Sequence, residues 1–271
     1  VPEVLPFNLP PAEAIAFFRR KGLALSFAWQ DIYAAEHARV FTVAKAMQVD
    51  VLEDIRRAVD RAIAEGTTLQ DFRRELTPLL QQKGWWGRQS LVDPLTGKAR
   101  TVQLGSPRRL ETIYDTNLRT GYAAGRWQQI QRTRERRPYL RYVAILDSRT
   151  RPRHRAWHGT VLPADHPFWQ THFPPNGWRC RCNVQQLSDR DLERYGYEVS
   201  PAAPSTLTGA YTNPRTGETR HVPLGIDPGF DYNVGIVGEA AERMLADKIA
   251  AAAPDIRAAA RGAWGAGQKS P

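Results

Sequence analysis

The sequence predicts an α+β fold: a helical N-terminal region, then a compact domain in which a long helix supports a small β-sheet. Through residue 84, apolar side chains recur at three- and four-residue spacing, as on helices with one buried face. From residue 139 onward, short β-branched and aromatic runs alternate with Pro, Gly and Asn turns, the pattern of strands and tight connections.

The spacing predicts a first helix over 11–21. Pro11 and Glu13 open it, Arg19, Arg20 and Lys21 close it, and Gly22 follows, in keeping with the helix dipole and C-cap preferences. Asp31 to Met47 and Val51 to Glu65 read as the next two helices, Gly66 ending the second, with His37 on a helix face. Thr68, with Asp71 three positions on, caps a fourth that ends near Lys83 and Gly84. Residues 85–107 form an exposed hairpin or arm, Gln89–Val92 and Ala99–Leu104 flanking a turn at Asp93–Gly97. Trp85 and Trp86 either bind a partner there or divide between core and surface. A long helix over 108–136 packs through Ile113, Leu118, Tyr122, Gly125 and Ile130.

Residues 108–235 form the core of the compact domain. Tyr139 to Leu146 is a strand, and Asp147 starts a short helix carrying His154, Trp157 and His158 before Gly159. Thr160 to Gly177 is a proline-rich loop whose length suits an organised site, and a second strand over 178–186 completes the sheet. Residues 187–195 are helical, Asn213–Gly217 is a hairpin turn and Asp227–Asn233 a loop. The last part, 236–271, is an amphipathic helix from Gly238 to about Ala252 and a polar, alanine-rich tail from Pro254. No internal repeat is present.

With 271 residues, 42% of them hydrophobic, the chain can bury a real core and is not of the disordered class. No apolar run is long enough for a transmembrane helix, and the first residues lack the pattern of a secretory signal, so no membrane partner is expected. The formal net charge is +10, and arginine carries most of it. The charge concentrates at Arg132, Arg134, Arg136, Arg137, Arg149, Arg151 and Arg153, a run suited to the phosphates of nucleic acid or to an acidic protein face. A solvated arginine-rich surface would look the same.

Cys180 and Cys182, the only cysteines, stand one residue apart. On an extended strand their Cα atoms would lie about 6.5–7 Å apart, at the limit of a disulfide, so a reduced pair and an intracellular setting are expected. Two thiolates on one face could also supply half of a tetrahedral zinc site. His154 and His158, at i, i+4 on a helix, are the nearest nitrogen ligands, with His166 and His172 behind them. A polar nodule without metal fits too: Asp147 caps the helix, Trp169 and Trp178 fill a minicore, and Asn176-Gly177 makes the turn.

The stretches AIAFFRRKGLALSFAWQDIYAAEHARVFTVAKAM, GWWG, RLETIYDTNLRTGYAAGRW, DSRTRPRHRAWHG, DHPFWQTHFPPNGWRCRCNV and DPGFDYN, in this order over residues 10–250, resemble the bacteriophage Mu F-like minor head protein family. That resemblance implies a low-copy virion protein inside the head, at or near the portal, acting in head (procapsid) morphogenesis or on packaged DNA. Its partners would be portal and capsid proteins, and it would pass through the host cytoplasm during assembly. No enzyme activity is implied. In the broader group of tailed-phage head-morphogenesis proteins, a Cys-x-x-Cys pair precedes the Cys-x-Cys and suggests a structural zinc nodule. Arg151 and His154 stand at the positions of that first pair here, so a metal would rest on His154, His158, Cys180 and Cys182, or on His166 or His172 in place of His158. Two alternatives remain: a metal-dependent nuclease, for which only Asp147 and Asp165 lie nearby as acids, and a plain nucleic-acid-binding protein.

Overall fold

A computed structural model of the protein describes residues 11–251, 253 and 254. The expected tail lies, apart from Pro254, outside the described residues. The chain is α+β. Helix α1 (Ala12–Arg19) leads into β1 (Gly22–Leu23), which pairs in parallel with β2 (Val40–Phe41). The helix expected over Asp31–Met47 is not formed. Short 3-10 turns at Trp29–Asp31 and Ala34–Ala38 take its place, because the Asp31 carboxylate accepts from the backbone N–H groups of Phe27 and Ala28. Beyond them Phe41 and Val43 alternate inward at period two, as on a strand. His37 therefore sits on a 3-10 turn rather than on an α-helix face.

Helix α2 (Val49–Glu65) ends at Gly66, whose left-handed φ of 71° closes the last turn. Helix α3 (Leu69–Gln82) starts as expected at Thr68, whose hydroxyl accepts from the Asp71 N–H at 3.2 Å. With the first half of α4 (Pro107–Thr133), these helices bury Leu52, Ile55, Val59, Ile63, Phe72, Leu80 and Leu110. Burying each such side chain stabilises the fold by about 1.5–3 kcal/mol. The hairpin of β3 (Arg88–Val92) and β4 (Ala99–Gln103) forms around the expected turn. Trp85 is no exposed binding element: it is buried, donates from Nε1 to the Lys45 carbonyl at 2.8 Å and lies under the Arg109 guanidinium, while Trp86 is half-buried.

Helix α4 ends three residues before the expected Arg136, leaving Arg134 and Arg136 in the turn beyond it. Its packing face changes along its length. Ile113 faces the aliphatic core, whereas Trp127 and Ile130 face a second core, and Tyr122 between them is exposed rather than packed. Strand β5 (Tyr139–Val143) is the centre of an antiparallel sheet in the order β6-β5-β7, and it stops short of the expected Leu146. Residues 147–150 form a turn, since the Asp147 carboxylate accepts from the Arg149 N–H, and α5 (Pro152–Trp157) begins at Pro152. The expected loop over 160–177 is structured: it holds β6 (Val161–Pro163) and α6 (Phe168–His172).

Strand β7 (Asn183–Leu187) begins later than the expected 178, so both cysteines lie in the turn before it, where Arg179 has a φ of 59°. A capped helix α7 (Asp189–Tyr195) and the hairpin of β8 (Thr208–Thr212) and β9 (Thr219–Pro223) follow. Helix α8 (Val234–Ala251) starts four residues before Gly238, because the Asn233 side chain accepts from the N–H groups of Gly235 and Ile236. It packs on α4 at Gly235, where a Cβ would stand 2.3 Å from that of Trp127.

Candidate metal centre

Helix α5 carries His154 inward, 2% exposed and stacked on Trp157 with ring centroids 5.0 Å apart. Its Nε2 donates to the Gly225 carbonyl at 2.8 Å, which turns Nδ1 toward the sulfurs of Cys180 at 3.7 Å and Cys182 at 3.5 Å. Only glycine suits the carbonyl partner, since Gly225 has a φ of 102° and a Cβ there would lie 2.8 Å from the Arg153 side chain. The three ligand atoms all fall within 4.8 Å of one another. In a tetrahedral zinc site, bond lengths of about 2.3 Å to sulfur and about 2.0 Å to nitrogen put those atoms about 3.5 Å apart. These residues supply three of the four positions of such a site, and the Nε2 to carbonyl bond is the usual way a protein orients a metal-binding imidazole.

The two thiols are free and titrate as a unit. The Cys180 thiol is held down by the hydrogen bond from Cys182 and by His154, whereas Cys182 is pushed up by Cys180 and by burial. Tyr142, fully buried beneath the pair, donates to the Asn176 side-chain oxygen at 2.8 Å, and burial pushes its hydroxyl well up, so it stays neutral.

His158 does not join the cluster. Helix α5 ends at Trp157, and the His158 N–H donates to the Arg155 carbonyl three positions back rather than to His154, so the regular i, i+4 relation is lost. Its Nδ1 instead accepts from the Ala144 N–H at 3.1 Å. His166 accepts from the Phe168 N–H, and His172 is buried against Phe168, with Nδ1 2.8 Å from the Thr171 hydroxyl. Arg151, at the first position of the implied Cys pair, donates to Asp227 at 2.8 Å and to the Trp178 carbonyl at 3.0 Å. Asp227 also accepts from the Trp178 N–H, and a Cβ on Gly177 would meet its carboxylate at 2.3 Å. Asp227 therefore ties the 225–230 loop to the cysteine turn through the Trp178 N–H and to the start of α5 through the Arg151 ion pair. On the other side, Arg181 donates with both terminal nitrogens to Asp147, which holds that carboxyl well below the usual range.

The arginine run disperses in space. Arg132 pairs with Glu13 on α1, Arg137 with Asp191 on α7, Arg149 with Asp147 and Arg151 with Asp227. Arg134, Arg136 and Arg153 are exposed and make no ion pair among the described residues. Sequence reasoning missed Arg119 and Arg126, which line a cleft of about 490 Å³ that opens beside Cys180 and Cys182. Their seven-residue spacing on α4 was the available signal.

Residues 53–185 match the family described as Phage Mu protein F like protein. The chain is also 45% identical over 255 residues to a protein of Escherichia phage Mu provisionally named capsid assembly protein F. The chain belongs to the Mu F-like family. The alignment takes in 89% of the chain and 58% of the Mu protein. The Mu-like prophage FluMu F protein of Haemophilus influenzae is 44% identical over 226 residues, 78% of the chain and 53% of that protein. This Mu F-like chain thus spans a little over half the length of the curated relatives it matches. No solved structure matches it. The family match runs from α2 into β7 and includes His154, Cys180 and Cys182, whereas Gly225 and Asp227, which orient the cluster, lie beyond it.

Proposed function

We propose that the chain is a structural protein of phage head assembly that docks on portal and capsid subunits and contacts packaged DNA. The observation that carries this is 45% identity, over 89% of the chain, to a relative named for capsid assembly. In this reading it works without catalysis, in the host cytoplasm during assembly and then inside the head. Two features support a structural role for the nodule. Asp147 and Asp227, the carboxylates flanking the cysteines, are both engaged by arginines, and the cluster has no acid among the described residues to serve as a base. Among the described residues no helix is long and apolar enough to cross a membrane.

His154, Cys180 and Cys182 would hold a zinc ion, which when bound would supply a cross-link between α5 and the turn before β7. The protein's own part is to aim Nδ1 through Gly225 and to hold the turn through Arg151 and Asp227. Arg134 and Arg136, in the turn beyond α4 and without an ion pair among the described residues, are the first DNA contacts in this reading, and Arg132, Arg137, Arg149, Arg151 and Arg153 are the further ones.

Sedimentation of heads assembled from portal and capsid proteins, with and without the chain, tests the main reading. The chain should co-sediment with heads; recovery wholly in the soluble fraction would sink the assembly role. Elemental analysis should give near one zinc per chain, lost in Cys180→Ser with Cys182→Ser. Absence of zinc from wild type would end the metal reading and leave the assembly role standing. Changing Arg132, Arg134, Arg136 and Arg137 together to Ala should weaken DNA binding and flatten its salt dependence.

A further inference from the structure

A second cavity, of about 530 Å³, lies between the middle of α4, the 29–45 segment and the 228–232 loop. That size is within the range of small-ligand sites, about 300–1,000 Å³. Lys21, Lys45 and Arg109 line it, and no Asp or Glu does. Lys21 is 6% exposed. Its ammonium lies 4.9 Å from the centre of the Phe17 ring, and no carboxylate pairs with it among the described residues. Burial draws this ammonium down to about 7. Arg109 is already committed, donating to the carbonyls of Ala44, Gln103 and Leu104, so it contributes charge rather than open donors. Trp29, Phe41, Ile113, Trp178 and Phe230 form apolar walls.

An unpaired cation in an apolar enclosure is costly. A ligand that brings one negative charge and an apolar body would satisfy both the ammonium groups and the walls. A phosphate chain suits the cavity less, because its several charges need more donors than two amines provide, and aromatic walls would face the remainder. We propose that this cavity binds a carboxylate carried on an apolar or aromatic body. The source is either a free organic acid or an acidic side chain within an apolar segment of another protein. The inference stands on the cavity alone and does not depend on the assembly reading.

Calorimetric titration with four probes tests it: 3-phenylpropanoate and its amide, and acetyl-Phe-Glu-Phe-amide and its Gln counterpart. At least one acid should bind about tenfold or more tighter than its neutral partner, a difference of about 1.4 kcal/mol. Tighter binding of the peptide acid assigns the source to a protein; tighter binding of the free acid assigns it to a small molecule. Lys21→Met should abolish the discrimination and raise Tm in the absence of probe, since an apolar chain replaces an unpaired ammonium. The backbone contacts of Lys21 survive that change, and Lys45→Met gives a second variant should the first misfold. Equal binding of acids and amides by wild type, or no binding of any probe, would overturn the proposal. Binding of a short oligothymidylate instead, lost in Lys21→Met, would overturn it in favour of a nucleotide site.

Discussion

Around α2 and α3 the core is mostly aliphatic, Leu52, Ile55, Val59, Ile63 and Leu80 supplied by helices at regular spacing with Phe72 against Tyr114 and Phe18 against Phe41 as its ring pairs, whereas around α5 and α6 it is mostly aromatic, supplied largely by strands, turns and short helices. In the second core, rings meet edge to face: Trp127 with Phe173 at 5.1 Å, Tyr142 with Trp157 at 5.6 Å and Phe168 with Trp169 at 5.1 Å. Hydrogen bonds run through it as well, from Trp169 to the Pro163 carbonyl and from Asn233 to the Trp169 carbonyl. Aliphatic packing asks mainly for volume, whereas edge-to-face rings and buried polar groups ask for geometry. The candidate metal centre lies on the core that specifies geometry.

The largest effect should come from Trp169→Ala, which removes a ring only 1% exposed and leaves the Pro163 carbonyl with the His166 N–H as its remaining donor. A loss of about 3–5 kcal/mol is expected in urea denaturation. Next, Tyr142→Phe keeps the ring but leaves the Asn176 oxygen unpaired, and should cost about 1–3 kcal/mol. In the aliphatic core, Leu80→Met keeps volume and should cost less than about 1.5 kcal/mol by the same measurement. If Leu80→Met cost as much as Tyr142→Phe, the contrast between the cores would not hold.

Acid should sharpen the contrast. Burial lowers His172 from the ordinary 6.5 to about 4, and His37 likewise to about 4. Between those values the unfolded chain binds more protons than the folded one, so stability is full above about 6.5 and declines as pH falls toward 4. His172→Phe, stacked in place on Phe168, should reduce that decline when urea midpoints are compared at pH 7 and 4.5. An unchanged slope in the variant would remove His172 from the acid response.

Much of the helical part was legible in the residues. Thr68 and Gly66 punctuate helices through their own backbone preferences, and the turn at Asp93–Gly97 needs only local chemistry. Residues 31–47 misled because alanines and charges there mimic helix spacing, while Asp31 is spent on backbone N–H groups upstream and 40–41 pairs with Gly22–Leu23. The aromatic and polar side chains of the second core come from segments far apart in sequence, so no local period announces them.

The residue pattern alone settled most of the helices, the hairpin turns, the charge and the family resemblance, since each depends on neighbours within a few positions or on motif order. Long-range packing decided the rest: that the arginine run scatters onto α1, α7 and the 227 loop, that Lys21 faces a cavity with no carboxylate in its lining, and that His154 rather than His158 meets the cysteines. The cysteine cluster shows the physical reason. Its orientation is set by the Gly225 carbonyl, 71 residues from His154, and the other imidazole is held away by the Ala144 N–H.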